Sequence, residues 1–275
     1  MFLVNPIFDK KGVLMIQLEQ LQAMNDLLLE DQPQYKEDAS QFPKDRRSQR
    51  RLMRSLMNVR HPHILPKALV RMQDQILSEE REEKGIVDVK NLPTTKQDSR
   101  IAIWQGDITR LGADAIVNAA NSQLLGCFSP CHGCIDNAIH SAAGLQLREE
   151  CAEIMRRQGH EEATGQAKIT IGYNLPAKHV LHTVGPIIYG QVTEEDEHLL
   201  ASCYQSCLEL AAKEDLSTVA FCCISTGVFH FPNRRAAEIA VQTVQDFLNE
   251  NNQIKLVIFN VFKDQDLAIY QDLLD

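Results

Sequence analysis

The residues best equipped for chemistry lie in one short stretch, Gly126–Gly144, with the sequence GCFSPCHGCIDNAIHSAAG. Within it Cys127, Cys131, His132 and Cys134 fall inside eight residues. Zinc prefers thiolate and imidazole ligands, and a catalytic zinc typically keeps three protein ligands and an open position. Spacing alone leaves two arrangements: Cys127, His132 and Cys134 as an open set, or all four as a closed structural site. The closed set needs adjacent residues 131 and 132 to reach one ion, which is geometrically awkward. Without a metal, Cys131 and Cys134 would be a redox pair, although the expected thioredoxin-like setting is missing. Asp136 stands at the start of the predicted helix. There it either stabilises the helix N-terminus or acts as a carboxylate orienting water or substrate hydroxyls beside the metal. His140 and His182 are read as structural.

The context favours metal or catalysis over disulfides. All eight cysteines lie between Cys127 and Cys223. The start, MFLVNPIFDKKG, has no basic n-region and no cleavage site, so no signal peptide and a cytoplasmic location are expected. Thiols there are mostly reduced. Cys151, Cys203, Cys207, Cys222 and Cys223 are read as small buried side chains. No apolar run is long enough to span a bilayer.

Charge narrows the partners. The chain has 28 Lys and Arg against 37 Asp and Glu, a net charge of -9. Positive residues slightly exceed negative ones in the first hundred positions and are outnumbered two to one afterwards. A nucleic-acid partner is therefore not expected, since affinity for a phosphate backbone needs clustered Lys and Arg. An anion bound by the acidic part must be held by backbone N–H groups.

The elements that position these residues alternate. The first hundred residues read as helical: Leu18, Leu21, Met24, Leu27 and Leu28 fall at helical spacing, as do Leu52, Leu56 and Met57. A third helix follows Pro66. The basic run Arg46–Arg54 is read chiefly as a solvated helix face, with an interaction site as the alternative. Residues 91–100 read as a linker. From Ile101 onward, strands are expected at 101–105, 114–118, 168–172, 179–184, 218–224 and 255–261. Helices are expected at about 135–158, 194–213, 234–249 and 264–274. This alternation implies a layered α/β domain with a mostly parallel sheet. Its ligand should bind outside the carboxyl ends of the strands. Three strand-end loops qualify: GDITR, AANSQLLGCFSPCHGCIDN and STGVFHFPNR. The last suits a phosphate cradle, but the Gly-Lys-Ser/Thr ending of a nucleotide triphosphatase loop is absent.

GDIT, DAIVNAANS, IDNAIHSAAG, HTVGP and ISTGVFHFP, in this order and spacing, resemble the macrodomain, an ADP-ribose-binding module. The resemblance runs from about Ile101 to Asp275. It implies a three-layer α/β/α fold with a mixed, mostly parallel sheet over 100–275, preceded by a helical extension over 1–99. The Cys-x4-His-x-Cys spacing of Cys127, His132 and Cys134 further resembles a zinc-dependent branch of protein-ADP-ribose hydrolases, with Cys131 outside the pattern. The resemblance implies that Asp107 and the Ile108 N–H meet the adenine and that Phe262 stacks on it. Ser225, Thr226, Gly227 and Val228 would hold the diphosphate. Phe229 and Asn121 would meet the distal ribose, with Asn121 and Asp136 as the catalytic pair. The implied reaction removes mono-ADP-ribose from modified protein side chains; a lipoylated carrier protein, with which some relatives are associated, is the candidate partner. The alternatives are a non-enzymatic ADP-ribose reader with a structural zinc, and an O-acetyl-ADP-ribose deacetylase.

Overall fold

The computed structural model describes residues 17–275; the start MFLVNPIFDKKG lies outside them. Six strands form one sheet: β1 (Ile101–Gln105), β2 (Ala115–Ala120), β3 (Ala167–Ile171), β4 (His179–Val184), β5 (Thr218–Phe221) and β6 (Leu256–Val261). Their order is β1-β6-β5-β2-β4-β3, parallel except for β3, which runs antiparallel to β4 at one edge. The central strands are buried along nearly their whole length, which is why β5 reads as a continuous apolar run and β6 as one interrupted only by Asn260.

Nine α-helices occur among the described residues. Helices α1 (Leu18–Asp31), α2 (Lys36–Ser40), α3 (Arg46–Val59) and α4 (Lys67–Lys84) precede the sheet. Helices α5 (Ile135–Ala143) and α6 (Leu145–Gln158) follow β2. After β4 come α7 (Glu194–Lys213), α8 (Asn233–Glu250) and α9 (Asp264–Leu274). Tyr204 of α7 lies against Phe221, and Tyr270 of α9 against Phe259, its neighbour's register partner. On the opposite face, the register partners Asn118 and His182 meet α5 and α6. Residues of opposite parity on a strand point to opposite faces, so the sheet is the middle of three layers.

Three expectations change. The helix expected over 135–158 is two helices, because Gly144 takes φ +103°, a conformation closed to most side chains. Residues 91–100 are not a free linker. Thr94 bridges Ala102 of β1, Gln97 Nε2 donates to Leu273 O at 3.0 Å, and Arg100 Nη1 donates to Leu248 O at 2.7 Å. Nor is the basic run simply solvated. Arg50 pairs with Glu80 of α4, and Arg54 turns toward the sheet-bearing part of the chain.

Helices α1, α3 and α4 bury their own apolar cluster of Leu21, Met24, Leu28, Leu52, Met53, Leu56 and Ile76. Leu145 of α6 completes it. The seam also carries buried polar groups. Arg148, 4% exposed, donates through Nη1 to Met57 O, Asn58 O and Arg60 O at 3.1, 2.8 and 2.6 Å. These carbonyls lie at the end of α3, where a helix leaves acceptors unsatisfied. Arg60, 1% exposed, pairs with Asp31 and with Glu149, each at 2.7 Å.

Candidate functional site

The strands β1, β6, β5 and β2 are parallel neighbours, so the loops after their carboxyl ends share one edge of the sheet. They enclose a cleft of about 670 Å³. Its walls bring together Asp107, Ile108, Ser225, Thr226, Gly227, Val228, Phe229 and Phe262, with His132 and Cys134 on the same wall system. Residues more than a hundred positions apart in sequence thus meet at one site.

At one end, Asp107 caps the turn after β1: its Oδ1 accepts from Thr109 N at 3.0 Å and from Thr109 Oγ1 at 2.7 Å. Ile108 beside it is buried, whereas Phe262, one residue past β6, is 77% exposed. An aromatic ring left that open has a face available for stacking.

The loop after β5 forms the middle of the cleft. It is folded on itself: Thr226 Oγ1 donates to Cys223 O at 3.0 Å, Phe231 N to Ser225 O at 3.0 Å and His230 N to Gly227 O at 3.1 Å. Ser225 has φ +63° and His230 φ +60°, so the backbone is held in left-handed turns at both ends. Among the described residues, the N–H groups of Gly227, Val228 and Phe229 donate to no acceptor. Successive free N–H groups in such turns form an anion-binding concavity. Ser225 Oγ is buried without a partner.

The Cys/His stretch borders the same cleft through His132, Gly133 and Cys134. The ligand atoms of Cys127, His132 and Cys134 all lie within 4.8 Å of one another, and Cys127 Sγ is 3.7 Å from His132 Nδ1. Two ligands about 2.0–2.3 Å from one tetrahedral ion stand about 3.5–3.8 Å apart, so this donor set fits zinc. Cys134 is also the N-cap of α5, accepting from Asn137 N at 3.4 Å. Burial, with Cys127 nearby, pushes its thiol up to about 11; a divalent cation would favour the thiolate. Cys131, at φ +53°, turns its Sγ to Ser55 Oγ at 3.4 Å and lies outside the group.

Asp136 and Asn121 are placed differently from the cleft-lining residues. Asp136, on α5 just after the Cys/His loop, is 5% exposed. Its Oδ1 accepts from Asn118 Nδ2 at 2.8 Å and stands 3.5 Å from His140 Nε2. Burial pushes its carboxyl up to about 6, against the lowering effects of Asn118 and Arg148. Burial also lowers His182 to about 3 and His140 well below its ordinary value. Both rings therefore sit neutral in the layer between β2, β4 and α5. Asn121 spans its own turn, with Oδ1 accepting from Gln123 N at 3.0 Å and Nδ2 donating to Gly126 O at 3.2 Å. This steers the chain into the Cys/His loop.

Further residues join the site that the sequence reading passed over: Lys263 and Asp266 line the cleft, as do Cys222 and Cys223, which read as ordinary buried side chains. Asn260 in β6 lines the cleft as a polar side chain inside an apolar strand, and Asn118 in β2, the same anomaly, reaches the site only through Asp136. Arg54 comes from α3, 78 residues before His132, and the only sign was the basic run around it.

A single sheet between two helical layers, an N–H-lined loop after β5 and an exposed aromatic at the other end make a cleft suited to a ligand with an anionic group and a flat ring. Residues 117–240 match the Macro domain family model. The chain is 51% identical over 262 residues to the protein-ADP-ribose hydrolase of Treponema medium, covering 94% of this chain and all of the relative. It is 53% identical over 222 residues to the protein-ADP-ribose hydrolase of Staphylococcus aureus (strain MSSA476), covering 80% of this chain and 83% of the relative. Among solved structures, the Trypanosoma brucei macrodomain in complex with ADP-ribose is 33% identical with a TM-score of 0.63, covering 77% of this chain and 91% of that one. The Oceanobacillus iheyensis macrodomain with ADP is 44% identical with a TM-score of 0.58, covering 62% and 88%. The chain belongs to the macrodomain family. With relatives at this identity and coverage named as hydrolases, it is an enzyme.

Proposed function

We propose that this enzyme removes mono-ADP-ribose from modified protein side chains, using a zinc ion held by Cys127, His132 and Cys134. The observation that carries the reading is the placement of His132 and Cys134 on the wall of the same cleft as Ser225–Phe229. A structural zinc needs no such opening. Residues 100–275 are the macrodomain in this reading, residues 1–99 its helical extension, and the location is cytoplasmic.

Asp107 Oδ2 and the Ile108 N–H would receive the adenine edge, and Phe262 would stack on the ring. The N–H groups of Gly227, Val228 and Phe229, with Ser225 and Thr226, would hold the diphosphate. The Phe229 ring would then set the distal ribose toward the Cys/His loop. Asp136, held by Asn118, would fix the orientation of a ribose hydroxyl or the attacking water; Asn121 would keep the loop at the height of the ribose. When bound, zinc supplies Lewis acidity and lowers the pKa of a coordinated water. The products are free ADP-ribose and the unmodified side chain. A lipoylated carrier protein is one candidate substrate.

The test is metal analysis of the purified protein coupled to release of ADP-ribose from a modified protein, with and without chelator. One zinc per chain and chelator-sensitive release are expected. Cys127→Ala turning over at the wild-type rate would refute the zinc reading; binding without release would favour the reader, and turnover of O-acetyl-ADP-ribose alone would favour the deacetylase.

A further inference from the structure

We propose that α3 of the helical extension is a clamp that holds the Cys/His loop in its ligand-ready shape, with Arg54 and Asn58 as positioning residues. The inference rests on the zinc reading only for what the loop binds; the clamp itself is a matter of geometry.

Two contacts reach the loop directly. Arg54 Nη2 donates to the carbonyl of His132 at 3.2 Å. Asn58 Oδ1 accepts from Cys131 N at 2.9 Å. Adjacent residues of the loop are thereby tied to one helix, one turn apart. A third contact is made by Ser55 Oγ with Cys131 Sγ at 3.4 Å.

A second set of bonds runs through Asn137, which is fully buried in α5. Arg54 Nε and Nη2 donate to Asn137 Oδ1 at 3.1 and 2.6 Å. Asn137 Nδ2 in turn donates to Ser129 O at 3.0 Å and Cys127 O at 3.5 Å. Because both Asn137 donors and its acceptor are thus engaged, its amide cannot swing without breaking bonds on both sides. Asn58 Nδ2 closes the network on Ser141 Oγ at 3.0 Å, and Ser141 donates to Asn137 Oδ1 at 3.2 Å. Cys127, His132 and Cys134 lie on a segment with no helix or strand of its own before Ile135. Cys131 within it takes φ +53°, a conformation a cysteine holds only when its surroundings enforce it. Asn58 and Ser55 of α3 hold it there, together with the bond from His132 N to Ser129 O at 3.2 Å. The extension thus does for the loop what outer-shell hydrogen bonds do for metal ligands generally.

Hydrogen exchange on metal-free protein, with zinc affinity measured in parallel by competition with a chromophoric chelator, tests the clamp. In Arg54→Ala and Asn58→Ala, amides of residues 127–134 should exchange about 10-fold faster than in wild type. Zinc affinity should fall about 10–100-fold, the range for loss of outer-shell partners. Arg54→Lys should recover part of each. Arg50→Ala, which breaks only the pair with Glu80, should match wild type in both. Asn58 is 1% exposed, so Arg54→Ala decides the outcome if Asn58→Ala does not fold. Wild-type exchange in Arg54→Ala overturns the clamp. So does a loss of ADP-ribose affinity in metal-free Arg54→Ala without faster exchange, which would make Arg54 a ligand contact. If wild type takes up no zinc, the zinc reading fails, while the exchange comparison still decides the clamp.

Discussion

Arg148→Met should be among the most damaging single substitutions at the seam between extension and sheet. The guanidinium is 4% exposed and Nη1 serves three carbonyls at the end of α3, at 2.6–3.1 Å. Its carbon also stands 4.3 Å above the Phe128 ring. Methionine roughly fills the stem but supplies no donor. Each buried carbonyl left without a partner costs about 1–3 kcal/mol, and the lost cation–π contact adds about 0.5–2 kcal/mol. Relief comes from no longer burying a cation, a cost visible in the lowering of Arg148 to about 10 by burial and in its partnerless Nε. The net expectation is a loss of about 3 kcal/mol. At about 2–4 °C per kcal/mol for a chain of this size, the thermal midpoint should fall by roughly 6–12 °C. Thermal unfolding followed by circular dichroism at pH 7 measures it. A fall under about 1 kcal/mol would show that the α3 carbonyls find water instead, and the account of the seam would be wrong.

Other substitutions probe the cleft and the sheet. Phe262→Ala should weaken ADP-ribose binding by about 5–160-fold, the range for one base stacked on an aromatic ring. Because Phe262 is 77% exposed, the melting temperature should stay put, and calorimetric titration separates the two. Gly126→Ala places a Cβ 2.9 Å from the His140 ring at φ +78°; the loop must shift, and release activity should fall more than ADP-ribose binding does. Asp114 accepts from Ser217 N, Ser217 Oγ, Thr218 N and Lys178 Nζ. Burial alone would raise its carboxyl, but these bonds hold it well below the usual carboxylate range. A depressed folded pKa means stability fully present above about pH 3.9 and lost as pH falls toward the folded value. Asp114→Asn should therefore be less stable than wild type at pH 7, with the gap narrowing between about pH 4 and pH 2 in urea titrations.

The alternation of apolar runs and turn residues from Ile101 onward was enough to place all six strands, because the central parallel strands are buried on both faces and must be apolar, and even the half-buried edge strand β3 is bounded by turn residues. The chemistry-bearing loops were legible for a similar local reason. Glycine and serine at a strand-to-helix turn, and cysteine and histidine at ligand spacing, carry their chemistry in residue type. Helix boundaries set by one backbone angle were not legible: Gly144 at φ +103° divides a pattern whose periodicity runs straight through.

What only the tertiary structure decided is which distant residues share a site. Periodicity gives Arg54 a helix but not a direction, and its basic neighbours suggested solvent. Packing of α1, α3 and α4 around Leu145 rotates α3 so that Arg54 and Asn58 meet the Cys/His loop. Asp136 likewise has the same sequence signature as a helix-cap carboxylate or a site carboxylate. The sheet decided its surroundings by setting Asn118 and His182 side by side beneath α5. Residue types and spacing determine what a segment can do; burial and long-range contacts determine what it faces.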